Sequence, residues 1–144
     1  MLQIPRAFYD EIIVHCRSKY PKEACGILVG ETNNSLVTGQ DRRVTHVYPM
    51  TNVEDSPIGY SMDPREQLRL EKEMRLRNQR MVGIYHSHTA SAAYPSSVDV
   101  GLAISPDLSY VLVSLKDRAY PELRSYTIDG QEITAESVRI EDAP

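Results

Sequence analysis

The residues of this sequence best suited to chemistry sit in one stretch. His86 and His88 stand one residue apart at the end of the apolar run Ile84-Tyr85-His86-Ser87-His88. After seven intervening residues comes Ser96, and Asp99 lies three beyond it. In an extended segment, residues two apart face the same side, about 7 Å apart along the strand. Both imidazoles can therefore turn toward one ion while Ser87 points the other way. A helix returning from the following loop can bring Asp99 to the same place. Two imidazoles, one carboxylate and an open fourth position make the donor set of a catalytic zinc, not of a closed structural one. The open position takes a water whose pKa is lowered to ~7.

Each signal has a plainer reading. An HxH pair arises by chance, and Ser96-x-x-Asp99 alone reads as a helix capping box. The two readings are compatible, because a helix N-terminus holds both side chains still. Hydrolysis also needs a base, and a carboxylate near the metal-bound water is the usual one. Glu23 is the candidate, just before the apolar run Ala24-Cys25-Gly26-Ile27-Leu28-Val29-Gly30; by position alone it reads as a solvated surface residue. The other two histidines, His15 and His46, suit a core or surface role better than a ligand role.

These residues need elements to position them. Residues 4–20 have a helical pattern, with Pro5 in the first turn and Phe8, Ile12 and Cys16 on one face, stopped by Tyr20-Pro21. Residues 24–30 read as a buried strand, 31–41 (with Asn33, Asn34, Ser35 and Gly39) as a hairpin or loop, and 44–50 as a strand. Residues 51–61 read as an irregular connection with a short edge strand near 58–61. Asp63-Pro64-Arg65-Glu66 opens a helix to about residue 78, with an N-cap, a first-turn proline and an acid three after the cap. The apolar segment 81–85 reads as a central strand, 89–95 as a loop, 96–104 as a helix and 110–115 as a second apolar strand. Strands over 123–128 and 133–140 are joined by the turn Asp129-Gly130. This order predicts an α/β (α+β) fold with a mixed sheet and helices packed on it.

At 144 residues the chain reads as a single domain spanning 1–144, long enough to bury a core, and too short for a (β/α)8 metal hydrolase. A net charge of −4 argues against nucleic acid as a partner. Two cysteines, Cys16 and Cys25, make no disulfide framework and read as buried thiols. The N-terminal residues have no signal-peptide pattern and no apolar stretch is long enough to span a bilayer, so the expected location is cytoplasmic.

Together, Glu23 and His86-x-His88-x7-Ser96-x-x-Asp99 resemble the JAMM motif of the MPN+ (JAB1-type) zinc metallopeptidases. Glu23-x-x-Gly26-x-x-x-Gly30 also looks like that family's first strand. Ala24-Cys25-Gly26, Tyr85-His86-Ser87-His88-Thr89, Ala93-Tyr94-Pro95-Ser96, Tyr110-Val111-Leu112-Val113-Ser114 and Leu123-Arg124-Ser125-Tyr126 narrow the likeness to bacterial sulfur-carrier-protein cysteine peptidases. Many relatives, eukaryotic deubiquitinases among them, have proline where this chain has Thr89.

The resemblance implies a cytidine-deaminase-like JAB/MPN fold, a curved mixed β-sheet flanked by helices with zinc at one end. It implies one Zn2+ per chain held by His86, His88 and Asp99, with Glu23 as base and Ser96 as the hydroxyl that stabilises the oxyanion. The implied partner is a small ubiquitin-like sulfur carrier ending in Gly-Gly, cut after those glycines to release cysteine. Segment 50–61 is then expected to supply an edge for the carrier's tail. A deubiquitinase-like isopeptidase or other zinc peptide hydrolase is the alternative. A metal-free MPN scaffold fits less well, since all ligand positions are filled. A homodimer stays open.

Overall fold

The computed structural model describes residues 1–32 and 41–142. The elements run β1 (Leu2–Pro5), α1 (Arg6–Lys19), β2 (Cys25–Glu31), β3 (Arg42–Arg43), β4 (His46–Met50), α2 (Pro64–Leu76), β5 (Gln79–His88), α3 (Ser97–Leu102), β6 (Ser109–Ser114), β7 (Glu122–Asp129), β8 (Glu132–Glu136) and β9 (Val138–Glu141). The expected hairpin or loop over 31–41, with Asn33, Asn34, Ser35 and Gly39, lies mostly outside the described residues.

Six strands form one mixed sheet in the order β4-β2-β5-β6-β7-β8, parallel only between β5 and β6. A smaller sheet, β3-β1-β9, is parallel throughout. Strand β2 is buried along nearly its whole length because both of its faces are covered. Leu28 packs with Ile12, Ile13 and Cys16 of α1, whereas Ile27 and Val29 pack with Leu70 and Met74 of α2. The central β5 divides the same way, Val82 and Tyr85 facing α1, Met81 and Ile84 the opposite layer. His86 and His88 therefore emerge on the α2 side. On that side Val100 and Ala103 join Tyr110 and Ile128, so α3 covers the same face.

Gly26 shows why β2 carries a glycine opposite β5. A Cβ there would fall 2.1 Å from Cε1 of Tyr85, whose ring crosses the β2 backbone. Asp63 caps α2 by accepting from the Arg65 amide at 2.9 Å, with Pro64 in the first turn, as the sequence predicts.

Several boundaries differ from expectation. Leu2–Pro5 is a strand, not the start of the helix, and Pro5 with ψ 142° is its extended last residue. Leu2 and Ile4 are fully buried there, and the strand lies between two parallel partners, β3 and β9. The strand expected over 133–140 breaks at Ser137: β8 completes the large sheet and β9 joins the small one. The edge strand expected near 58–61 is instead an irregular segment whose only described ladder contact is an Asn52–Met62 bridge. The central strand runs longer than 81–85 and reaches both histidines.

Candidate metal and catalytic site

The C-terminal end of β5 carries His86 and His88, held between two neighbours. His86 is in register with Cys25 of β2 and Leu112 of β6, and His88 with Ser114. The His88 carbonyl accepts from the Leu115 amide at 2.9 Å, which continues the ladder past the strand end. Strand pairing therefore fixes both backbones before any side-chain interaction is counted.

The loop that follows is pinned from below. Ala93 is buried with Leu112 and Tyr126, the Tyr126 hydroxyl donates to the Ala93 carbonyl at 2.5 Å, and Ser114 donates to the Ser91 carbonyl at 2.6 Å. The loop delivers Ser96 as the N-cap of α3. The capping box is complete: Ser96 Oγ accepts from the Asp99 amide at 3.1 Å, and Asp99 Oδ2 accepts from the Ser96 amide at 2.8 Å. The cap fixes the carboxylate of Asp99. It also leaves the Ser96 hydroxyl hydrogen unused.

Asp99 then meets both histidines. Its Oδ1 lies 3.1 Å from His86 Nε2 and its Oδ2 3.0 Å from His88 Nε2, while the two Nε2 atoms are 3.2 Å apart. His88 Nδ1–H donates to the Ala92 carbonyl at 2.9 Å, which turns Nε2 inward. There Nε2 holds a proton toward Asp99 or, with that proton released, offers its lone pair to a cation. One donor atom from each residue lies within 4.8 Å of the others. Three electron-pair donors facing one point suit a shared cation, and the donor set is compatible with a metal site.

The electrostatics follow from this crowding. Burial pulls the His86 imidazole down, against the opposing pull of Asp99. Burial also acts against charging His88, but its bonds to Asp99 and the Ala92 carbonyl outweigh that and raise it. Burial acts to raise Asp99 too, yet the hydrogen bonds from His86 and His88 win and hold it well below the usual carboxylate range.

Glu23 is buried, not solvated, with 7% of its surface exposed. It shares a cleft of about 480 Å³ with His88, Ser96, Asp99, Glu54 and Tyr60. Burial pushes its carboxyl up to about 7; the His88 imidazole opposes this, and the Asp99 and Glu54 carboxylates add to it. The five predicted site residues thus come together, four of them lining this cleft and His86 bonded to Asp99 just behind. His15 and His46 are elsewhere: His15 Nδ1 is 2.6 Å from the Tyr85 hydroxyl, and His46 Nδ1 is 3.0 Å from Gln79 Nε2. Cys16 and Cys25 are buried and unpaired with each other, as expected.

Two site neighbours were not foreseen. The Tyr60 ring packs on His86 with centroids 4.6 Å apart, and Asn52 bonds the Glu23 carbonyl. Both come from the irregular segment, where no periodicity marks a residue as inward. A polar Asn among prolines and glycines signals a turn, and that was the only available hint.

A family model described as prokaryotic homologs of the JAB domain matches residues 5–129. The chain is 44% identical to the CysO-cysteine peptidase of Mycobacterium tuberculosis over 140 residues, 97% of this chain and 91% of that protein. It is 30% identical to the desampylase of Haloferax volcanii over 137 residues, covering 92% and 91% of the two chains. The solution structure of protein DSY2949 from Desulfitobacterium hafniense superposes with a TM-score of 0.86 at 37% identity, covering 99% of this chain and 94% of that one. With the family model spanning most of its length, and with these likenesses end to end, the chain belongs to the prokaryotic JAB-domain family.

Proposed function

We propose that this chain, acting as a single cytoplasmic domain, is a zinc metallopeptidase. Its reaction is hydrolysis of the bond after the C-terminal Gly-Gly of a small ubiquitin-like sulfur carrier, releasing the attached cysteine for cysteine biosynthesis. The observation that carries this reading is the convergence of His86, His88 and Asp99 beside the buried carboxyl of Glu23 in one cleft. The likeness to a CysO-cysteine peptidase over 97% of the chain supports the substrate class.

His86 Nε2, His88 Nε2 and the Asp99 carboxylate are the ligands. Zinc bound there supplies a Lewis acid for the scissile carbonyl and an acidified water. Glu23, whose carboxyl is buried in the same cleft as His88 and Asp99, takes the proton of the attacking water and passes it to the leaving amine. The Ser96 hydroxyl, whose oxygen is fixed by the cap, donates to the carbonyl oxygen as negative charge develops there. Two glycines, having no side chains, suit a cleft lined by Tyr60, Thr89 and Ser96.

The likeness to a desampylase favours a second reading, an isopeptidase acting on ubiquitin-like modifiers. A carrier ending in Gly-Gly-Cys and the same carrier joined through Gly-Gly to a lysine side chain separate the two. The proposed function predicts faster cleavage of the first; cleavage of the lysine conjugate alone establishes the second.

A further inference from the structure

Glu23 lies outside the sheet. Strand β2 begins at Cys25, so the backbone of Glu23 has no ladder partner in β4 or β5. Its hydrogen bonds go instead to the irregular segment between β4 and α2. The Glu23 amide donates to the Ser56 carbonyl at 2.8 Å, and its carbonyl accepts from Asn52 Nδ2 at 3.1 Å.

Asn52 makes four bonds with one amide group. Nδ2 donates to the carbonyls of Glu23 and of Gly59, the latter at 3.0 Å. Oδ1 accepts from the amides of Glu54 at 3.1 Å and Ser61 at 3.0 Å. The segment closed in this way presents Pro57, Ile58, Gly59 and Tyr60 to the cleft. Its far side is held by Thr89, whose hydroxyl donates to the Pro57 carbonyl at 3.0 Å. Proline at position 89 has no such donor.

We propose that Asn52 is a positioning residue that sets the Glu23 carboxyl and the Pro57–Tyr60 wall of the cleft as one unit, so that the wall receiving the substrate tail also places the base. The catalytic part of this inference rests on the function proposed above; the mechanical part does not. An amide at position 52 uses both of its halves: donors that join Glu23 to Gly59 of the wall, acceptors that hold Glu54 and Ser61 on either side of it. The two halves separate on substitution. Asn52→Asp keeps the acceptors for Glu54 and Ser61 but faces oxygen against the carbonyls of Glu23 and Gly59, whereas Asn52→Ala removes everything.

The test combines amide hydrogen exchange with steady-state cleavage of a carrier ending in Gly-Gly-Cys, on the zinc-loaded full chain. In Asn52→Asp, the Glu54 and Ser61 amides keep their protection. The Glu23 amide, whose own acceptor is the Ser56 carbonyl, loses it because repulsion of the Glu23 carbonyl draws that segment away from Ser56. Zinc content stays at the wild-type level, because no ligand bonds to Asn52. kcat falls about 10- to 100-fold, the scale of a misplaced catalytic group, and KM rises with it because the Gly59 carbonyl of the wall is repelled too. Asn52→Ala exposes all three amides and moves KM as well as kcat. Unchanged Glu23 exchange in Asn52→Asp overturns the proposal whether or not the wild type cleaves this carrier. A wild-type kcat in that variant overturns the catalytic part. A wild type inactive on the carrier refutes the proposed function and leaves the exchange result to decide the positioning.

Discussion

Ser87 Oγ accepts a hydrogen bond from the Ala24 amide at 2.9 Å, and the Ala24 carbonyl accepts from the Ser87 amide at 3.0 Å. Ser87 is the residue between the two histidines, and Ala24 directly follows Glu23. The side chain that strand geometry turns away from the His86–His88–Asp99 group therefore ties the segment carrying Glu23 to the strand carrying the histidines. Both residues are buried, so neither group has water to fall back on.

Replacing Ser87 by alanine leaves the Ala24 amide buried without its side-chain partner, a loss of about 1–3 kcal/mol. The histidines stay in the β5 ladder, so metal content is preserved while activity drops with the displacement of Glu23. Urea unfolding together with metal analysis checks this. A variant as stable and as active as the wild type contradicts the role given to Ser87.

Glu23 gives a pH signature in the metal-free chain. Its folded-state carboxyl is raised to about 7 from an ordinary value of 4.5, so the folded state holds that proton more tightly than the unfolded state. The resulting stability is fully present below about pH 4.5 and is lost as pH rises through about 7. Glu23→Gln cannot titrate. The stability difference between wild type and Glu23→Gln, measured by urea unfolding in chelator, should fall across that window and level off above it; parallel profiles contradict the burial of a titrating carboxyl.

The cleft rim has its own test. Ile58, Val98 and Leu102 all line the cleft yet are 88%, 63% and 59% exposed, and the charged lining residues are the carboxyl groups of Glu23, Glu54 and Asp99 with His88. Such a rim favours a tail with aliphatic residues ahead of its glycines and disfavours acidic ones. Leu102→Asp should raise KM for the carrier about tenfold or more while zinc content is unchanged. An unchanged KM rules the rim out as a tail contact. Ile58→Pro, which removes the amide that donates to Ser56 Oγ, should likewise weaken carrier cleavage without metal loss.

What the sequence made legible were the features with local rules. The HxH pair falls on one strand face because side chains alternate, and Ser96 with Asp99 forms the capping box that its spacing announces. The Asp63-Pro64 helix start is equally local. The features that escaped depend on partners far along the chain. Leu2–Pro5 is too short to show periodicity and is a strand only because β3 and β9 flank it. The break at Ser137 leaves no mark, since both halves are extended and differ only in which sheet they join. Arg42 and Glu136 form a buried ion pair at 3.0 Å, joined by Ser109 and Ser125, across a separation that no pattern spans. Asn52 belongs to the same class: its four bonds reach Glu23, Glu54, Gly59 and Ser61 through a segment without repeat.

The most direct measurement of the proposed function is cysteine release from a carrier ending in Gly-Gly-Cys, followed by mass before chelation, after chelation and after zinc is restored. The predicted result is a carrier shortened by one cysteine, no product with chelator, and recovery with about one zinc per chain. Release that persists in the metal-free chain, or a zinc-loaded chain that leaves the carrier intact, contradicts it.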